Sequence, residues 1–289
     1  MLVNSLKWMY LIILSLIWGS SFILIKKGLV GLSPIQVGAI RIIFTSIFLF
    51  IAGFNRIKAI TRRQWLWIVL TGFLGTFFPS FLFAFAETEI DSAVASVLNS
   101  LVPLNTILIG FMVFGMKFTK RQVLGVLVGL LGTVALILSG ASIHPDQNYG
   151  FVIFIILATL MYAANVNILK QHLQHMDALT ITVGNFAAIV MPAIVILICS
   201  GFFDLTYLQQ PELKEAVVYL LILSLFGTAL AKVIFNKLIQ LSSPVFASSV
   251  TYLMPVVAVF WGVLDGEQFG LMQVATAIII LVGVYLAHK

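Results

Sequence analysis

Runs of about twenty apolar residues, following one another almost without pause, constrain this chain more than any other feature. A helix rises 1.5 Å per residue, so about 20 apolar residues cross a hydrocarbon core of roughly 30 Å. Marking such runs between charged residues or Pro/Gly breaks gives ten, at about residues 8–26, 34–54, 65–86, 92–114, 121–139, 149–170, 178–201, 216–239, 244–264 and 270–287. The connections between them are short and leave no room for a soluble domain. Only 9% of the 289 residues are charged and 61% are hydrophobic, with mean hydropathy +1.14. Soluble domains carry about 25% charged residues, so the expected class is an all-α polytopic membrane protein with ten transmembrane helices. The start, MLVNSLKWMYLIILSLIWGSSF, imitates a signal peptide but has no A-x-A site, and similar spans follow it. It is expected to be the first membrane helix.

The net charge of +6 is then a matter of topology and gives no footprint for nucleic acid. With the N-terminus in the cytoplasm, eleven Lys and Arg residues fall on the inner side and only Lys26, Lys27 and Lys214 on the outer. Arg41 and Lys232 lie within spans. Asp177 is the one inner acid. Positive-inside counting therefore puts both termini in the cytoplasm of a multi-pass cell (inner) membrane protein.

Residues 149–289 slide over residues 1–140 with ordered anchors. IWGSSFILIK (17–26) lies over MYAANVNILK (161–170), Gly75-Thr76 over Gly227-Thr228, SVLNSLVP (96–103) over SSVTYLMP (248–255), and Gly132 over Gly283. The two units, 1–140 and 149–289, hold five spans each. An odd number makes the second enter the membrane inverted relative to the first, a transporter architecture with its site at the midplane.

In WGSSF (18–22), GAIRIIF (38–44), SSPVFASSVTYLMPVVAVFWGVLDGE (242–267) and LVGVYL (281–286) the sequence resembles the EamA-type ten-helix members of the drug/metabolite transporter superfamily. The resemblance spans the whole chain and implies two EamA-like repeats and a carrier of alternating-access type. The family pattern places Gly-Glu at the end of the fourth span as well as the ninth. Gly266-Glu267 ends the ninth here, whereas Met116 holds the corresponding first-half position.

Ionisable residues inside a membrane mark function by default. The spans hold Arg41 and Lys232 and, away from their ends, no Asp or Glu. Two fixed positive charges favour an anionic or zwitterionic cargo such as an amino acid or organic acid. Exporters of cationic or lipophilic drugs, the alternative reading, commonly use a membrane carboxylate. Arg41 also has a structural reading, as a strut to Glu87 or Glu89, and Lys232 one as a partner of Asp177. On span four Ser96, Asn99, Ser100 and Pro103 share one helical face, and Ser248, Thr251, Tyr252 and Pro255 repeat it on span nine. Such a stripe suits either a wet cavity or ordinary helix-to-helix hydrogen bonding. Trp18 and its repeat counterpart Tyr162 sit mid-span, with Asn165 and Asn167 beside the latter, and serve as an aromatic wall or as core.

The expected substrate-binding set is therefore Trp18, Arg41, Ser96, Asn99, Ser100, Tyr162, Asn165, Lys232, Ser248, Thr251 and Tyr252. Gly125, Gly129 and Gly132 make a small-residue face for close helix packing, and a homodimer through membrane helices is one use of it. A single cysteine, Cys199, rules out an internal disulfide. The four histidines fall in or beside loops, and no Walker motif or catalytic triad is present. The expectation is no enzyme, no cofactor, no metal and no nucleic acid. A non-transporting membrane assembly protein stays open beside the carrier, whose partners would be a small-molecule substrate and the lipid bilayer. Uptake or export, and coupling through an acid such as Glu267, stay open too.

Overall fold

A computed structural model describes residues 2–90, 92–138, 148–204, 210–264 and 271–288. Among these the chain makes ten helical passages and no strand. Seven segments are long and apolar enough to cross a membrane: Ser5–Gly28, Pro34–Ala59, Arg62–Ala86, Val94–Met112, Val152–Leu173, Ala178–Cys199 and Pro211–Leu241. These are passages one to four and six to eight. Passage five is Lys120–Leu138, passage nine is Pro244–Ser248 with Val250–Leu264, and passage ten is Leu271–His288. The expected all-α polytopic class and the ten helices are what is found.

Local chemistry starts the helices where the apolar runs begin. Ser33 and Gln36 form a reciprocal capping box ahead of Pro34, and Thr61 and Gln64 form another. Thr119 and Gln122 exchange the same pair of bonds at the head of passage five. Each box satisfies two otherwise orphaned backbone N–H groups.

Five passages are interrupted along their length, passage nine at Ser249 between its two segments, and these interruptions position the site. Passage one breaks at Ser20, between Leu2–Gly19 and Ser21–Gly28. Passage four breaks at Ser100-Leu101, just ahead of Pro103. Passages three and eight widen into π-helical turns, Phe73–Phe77 and Leu223–Leu230, which contain the repeat anchors Gly75-Thr76 and Gly227-Thr228. π-Bulges of this kind gather at functional sites.

Passages five and ten pack backbone against backbone. A Cβ on Gly125 would stand 2.5 Å from the Ala287 nitrogen, and one on Gly283 would stand 2.4 Å from the Gly129 nitrogen. The small-residue face read from the sequence is thus filled by passage ten of the same chain and is not left open to a second subunit. At the end carrying Arg56 and Asp177, Arg56 Nη1 meets Asp177 Oδ2 at 2.8 Å. There Lys170 Nζ also donates to the carbonyls of Ile239 and Ser242, and the Trp67 and His172 rings stack 3.6 Å apart.

Candidate functional site

A central cleft with an empty volume of about 720 Å³, its mouth included, lies between the two halves at the depth of the interruptions. Eight of the eleven expected residues line it. Trp18, Arg41 and Asn99 come from the first half; Tyr162, Asn165, Lys232, Ser248 and Thr251 come from the second.

The backbone of Arg41 is sewn to the π-turn of passage eight. Thr45 Oγ1 donates to the carbonyls of Arg41 and Ser224, and Ser224 Oγ donates to the Arg41 carbonyl. Arg41 Nε donates to Thr228 Oγ1 at 2.8 Å, while Thr228 Oγ1 donates back to Leu223 O. The two terminal guanidinium nitrogens have no hydrogen-bond partner among the described residues, and the side chain lines the cleft. The strut to Glu87 or Glu89 is not made; Arg41 makes its bond to the other half instead. Glu87 accepts from Ser92 Oγ at 3.1 Å, and its Oε1 has no partner.

Lys232 takes neither role exclusively. Its ammonium donates to Gly75 O in the opposite π-turn and stands 5.6 Å from the Tyr162 ring centroid. Asp177, the partner expected from the sequence, is occupied by Arg56. Burial works against the ionised Asp177 carboxylate. The bonds from the Thr180 backbone and hydroxyl, with the charges of Arg56 and Lys237, outweigh that and hold it below the ordinary range.

On the other side of the repeat, Trp18 Nε1 donates to Gly227 O at 2.9 Å. The two arrangements are related by the sequence shifts. The shift that lays Trp18 on Tyr162 also lays Ser21 on Asn165. A Cβ on Gly75 would stand 2.5 Å from Asn165 Oδ1, and one on Gly227 would stand 2.8 Å from Ser21 Oγ. Only glycine admits these neighbours at such distances.

Asn99 ends the first segment of passage four. Its Nδ2 reaches Met254 Sδ at 3.7 Å, and its Oδ1 is buried without a partner. Ser248 and Thr251 spend their hydroxyl hydrogens on Val245 O and Ser248 O, so they offer acceptors. Around this polar set stand Phe22, Phe83, Phe235 and Met254. The cleft thus presents cationic donors, an unpaired acceptor and apolar wall, and no carboxylate among the described residues lines it.

Three expected residues lie elsewhere. Ser96 is fully buried off the cleft wall. Ser100 Oγ bonds back to Val97 O, since the helix ends there and the shared face does not continue through the break. The Tyr252 ring fits against Gly129, and its hydroxyl donates to Val126 O at 2.8 Å, which makes it a strut to passage five. Glu267 lies outside the described residues. Sequence reasoning missed Phe83, Phe235 and Met254, which nothing distinguishes among so many apolar residues. It also missed Gly227, whose carbonyl accepts from Trp18 in the wall, although the repeat had marked it.

The model of the EamA-like transporter family matches residues 6–138 and again residues 150–288. The chain belongs to that family. It is an integral membrane protein that transports small molecules. The uncharacterized inner membrane transporter YedA of Escherichia coli strain K12 is 29% identical over 90% of this chain and 83% of its own length. A probable amino-acid metabolite efflux pump of Salmonella typhimurium is 24% identical over 93% and 90%. An S-adenosylmethionine/S-adenosylhomocysteine transporter of Chlamydia muridarum is 26% identical over 88% and 82%. A solved crystal structure, 15% identical, superposes with TM-score 0.74 over 98% of this chain and 96% of that one.

Proposed function

We propose that the chain carries an anionic or zwitterionic metabolite, of amino-acid or organic-acid type, by alternating access of the central cleft to the two faces of an inner membrane. Five spans per repeat favour halves inverted relative to each other, and the Lys and Arg distribution favours both termini in the cytoplasm. The reading is carried by Arg41. Its Nε is held by Thr228 while its terminal nitrogens, without a protein partner among the described residues, line a cleft with no carboxylate. A guanidinium placed this way suits bidentate recognition of a carboxylate. The unpaired Asn99 Oδ1 and the acceptors of Ser248 and Thr251 suit the ammonium of a zwitterion. Two relatives named for amino-acid metabolites and for S-adenosylmethionine support cargo of this class. Lys232 gives the halves a contact that an anion can draw away from Gly75.

The test is counterflow in proteoliposomes with labelled amino acids, organic acids and lipophilic cations, on wild type and Arg41→Ala. Exchange of an anion or zwitterion, lost in a variant that stays folded and monodisperse, is expected. Exchange of cations alone, undiminished in Arg41→Ala, would sink the reading and restore drug export.

A further inference from the structure

Glu87 follows immediately on Ala86, the last residue of passage three, and the sequence counts it as a loop acid. The fold buries it instead, with 3% of its surface exposed. One oxygen accepts from Ser92 Oγ, and the other has no partner. Among the described residues no cation forms an ion pair with it. The charges that face it are Lys26 from passage one and Arg41 from passage two, both at a distance; Glu89 shares its turn, and Asp91 lies outside the described residues. An ionised carboxylate left in this condition is costly, and the neutral acid is not. Burial pushes the group up to about 8, against the opposing influence of the Ser92 bond and the charges of Lys26 and Arg41.

We propose that Glu87 is the site of a coupling proton, taken up when an anionic cargo occupies Arg41 and released when the cargo leaves. The inference rests on Arg41 as the anion contact. An ionised Glu87 and a bound anion share the field of the same guanidinium. Each therefore weakens the other, and a proton on Glu87 strengthens the anion. Linkage makes this reciprocal: anion binding raises proton affinity by the factor by which the proton raises anion affinity. The proton passes from water to a carboxylate oxygen and back to water, and no other bond changes. Proton and anion consequently travel together.

Two measurements on the full-length protein in proteoliposomes decide the matter. The first is exchange of a radiolabelled equimolar mixture of L-amino acids and small organic acids, with equal pH on both sides, at about pH 6 and about pH 8.5. Half-saturation in wild type should rise several-fold toward the alkaline value. Glu87→Gln, which imitates the protonated acid, should keep the low-pH value at both. Ser92→Ala, which removes a bond that favours the ionised form, should move the midpoint to higher pH. The second is an infrared titration without cargo, in which wild type shows the carbonyl stretch of a protonated carboxylic acid that vanishes near the same midpoint and is missing in Glu87→Gln. Unchanged pH dependence in Glu87→Gln, or no titrating band attributable to Glu87, overturns the proposal. Wild type that exchanges none of the mixture sinks the cargo reading. The infrared titration then judges the proton site alone: a titrating band keeps it, and a missing band removes it.

Discussion

Passages three and eight each hold a Gly-Thr pair inside a π-helical turn, and in each turn the glycine carbonyl accepts a bond from the opposite half. Trp18 supplies it to Gly227, and Lys232 supplies it to Gly75. The same backbone opening is thus closed by two different chemistries. The indole is neutral, donates once, and is fixed by its edge contact with Phe235, ring centroids 4.9 Å apart. The ammonium carries charge, has three donors, and rests over Tyr162. The anionic cargo proposed above would be drawn by charge to the second, whereas the first offers it only one neutral donor already spent on Gly227. On the proposed reading, one crossing is a fixed hinge contact and the other is the one exchanged for cargo.

This contrast is open to attack at each point. The largest effect should come from Lys232→Met, which is expected to slow exchange by at least about tenfold, or about 1.4 kcal/mol on the barrier. Trp18→Phe should keep it within about threefold; the reverse ranking in counterflow assays would break the comparison. Next comes Gly75→Ala, whose added carbon overlaps Asn165. Overpacking of this kind costs about 1–3 kcal/mol, read as a lower melting temperature in detergent. Adding Asn165→Ala should recover most of the loss. Gly227→Ala should cost less, because its neighbour is the small hydroxyl of Ser21, and an equal loss would blur the distinction. Trp18→Phe removes one side-chain bond and should lower stability by about 0.6 kcal/mol, the average for such bonds in membrane proteins.

The smallest effect belongs to the Arg56–Asp177 pair, whose side chains are 48% and 54% exposed. A pair screened to that degree contributes at most a few tenths of about 1 kcal/mol. Because the Asp177 carboxyl is held below its ordinary value, that contribution is present above the unfolded value. It is lost as pH falls through the folded one. Melting temperatures of wild type and Asp177→Asn should therefore differ slightly near neutrality and converge on acidification.

Much of this architecture was legible in the sequence because it is written in periodicity. Ten apolar runs and the displaced anchors are one-dimensional signals, and Arg41, Lys232, Trp18 and Tyr162 stand out against their apolar surroundings. What failed depended on how helices end and touch. Ser100 continues the face of Asn99 only in an unbroken helix, and passage four breaks at Ser100-Leu101, while Ser96 is buried by packing that spacing does not show. Tyr252 left its stripe because Gly129, on a distant segment, offers a notch that fits its ring. Glu87 sits one residue past a span and reads as solvated. Its burial comes from packing around that end, which spacing does not encode.

The seam between passages five and ten has a consequence for assembly. It joins the first half to the second through close backbone contact at Gly125 and Gly283, away from the cleft. A chain severed between residues 138 and 150 should therefore be recoverable as two co-expressed polypeptides that find each other in the bilayer. Gly125→Leu should abolish that complementation by holding the two backbones apart.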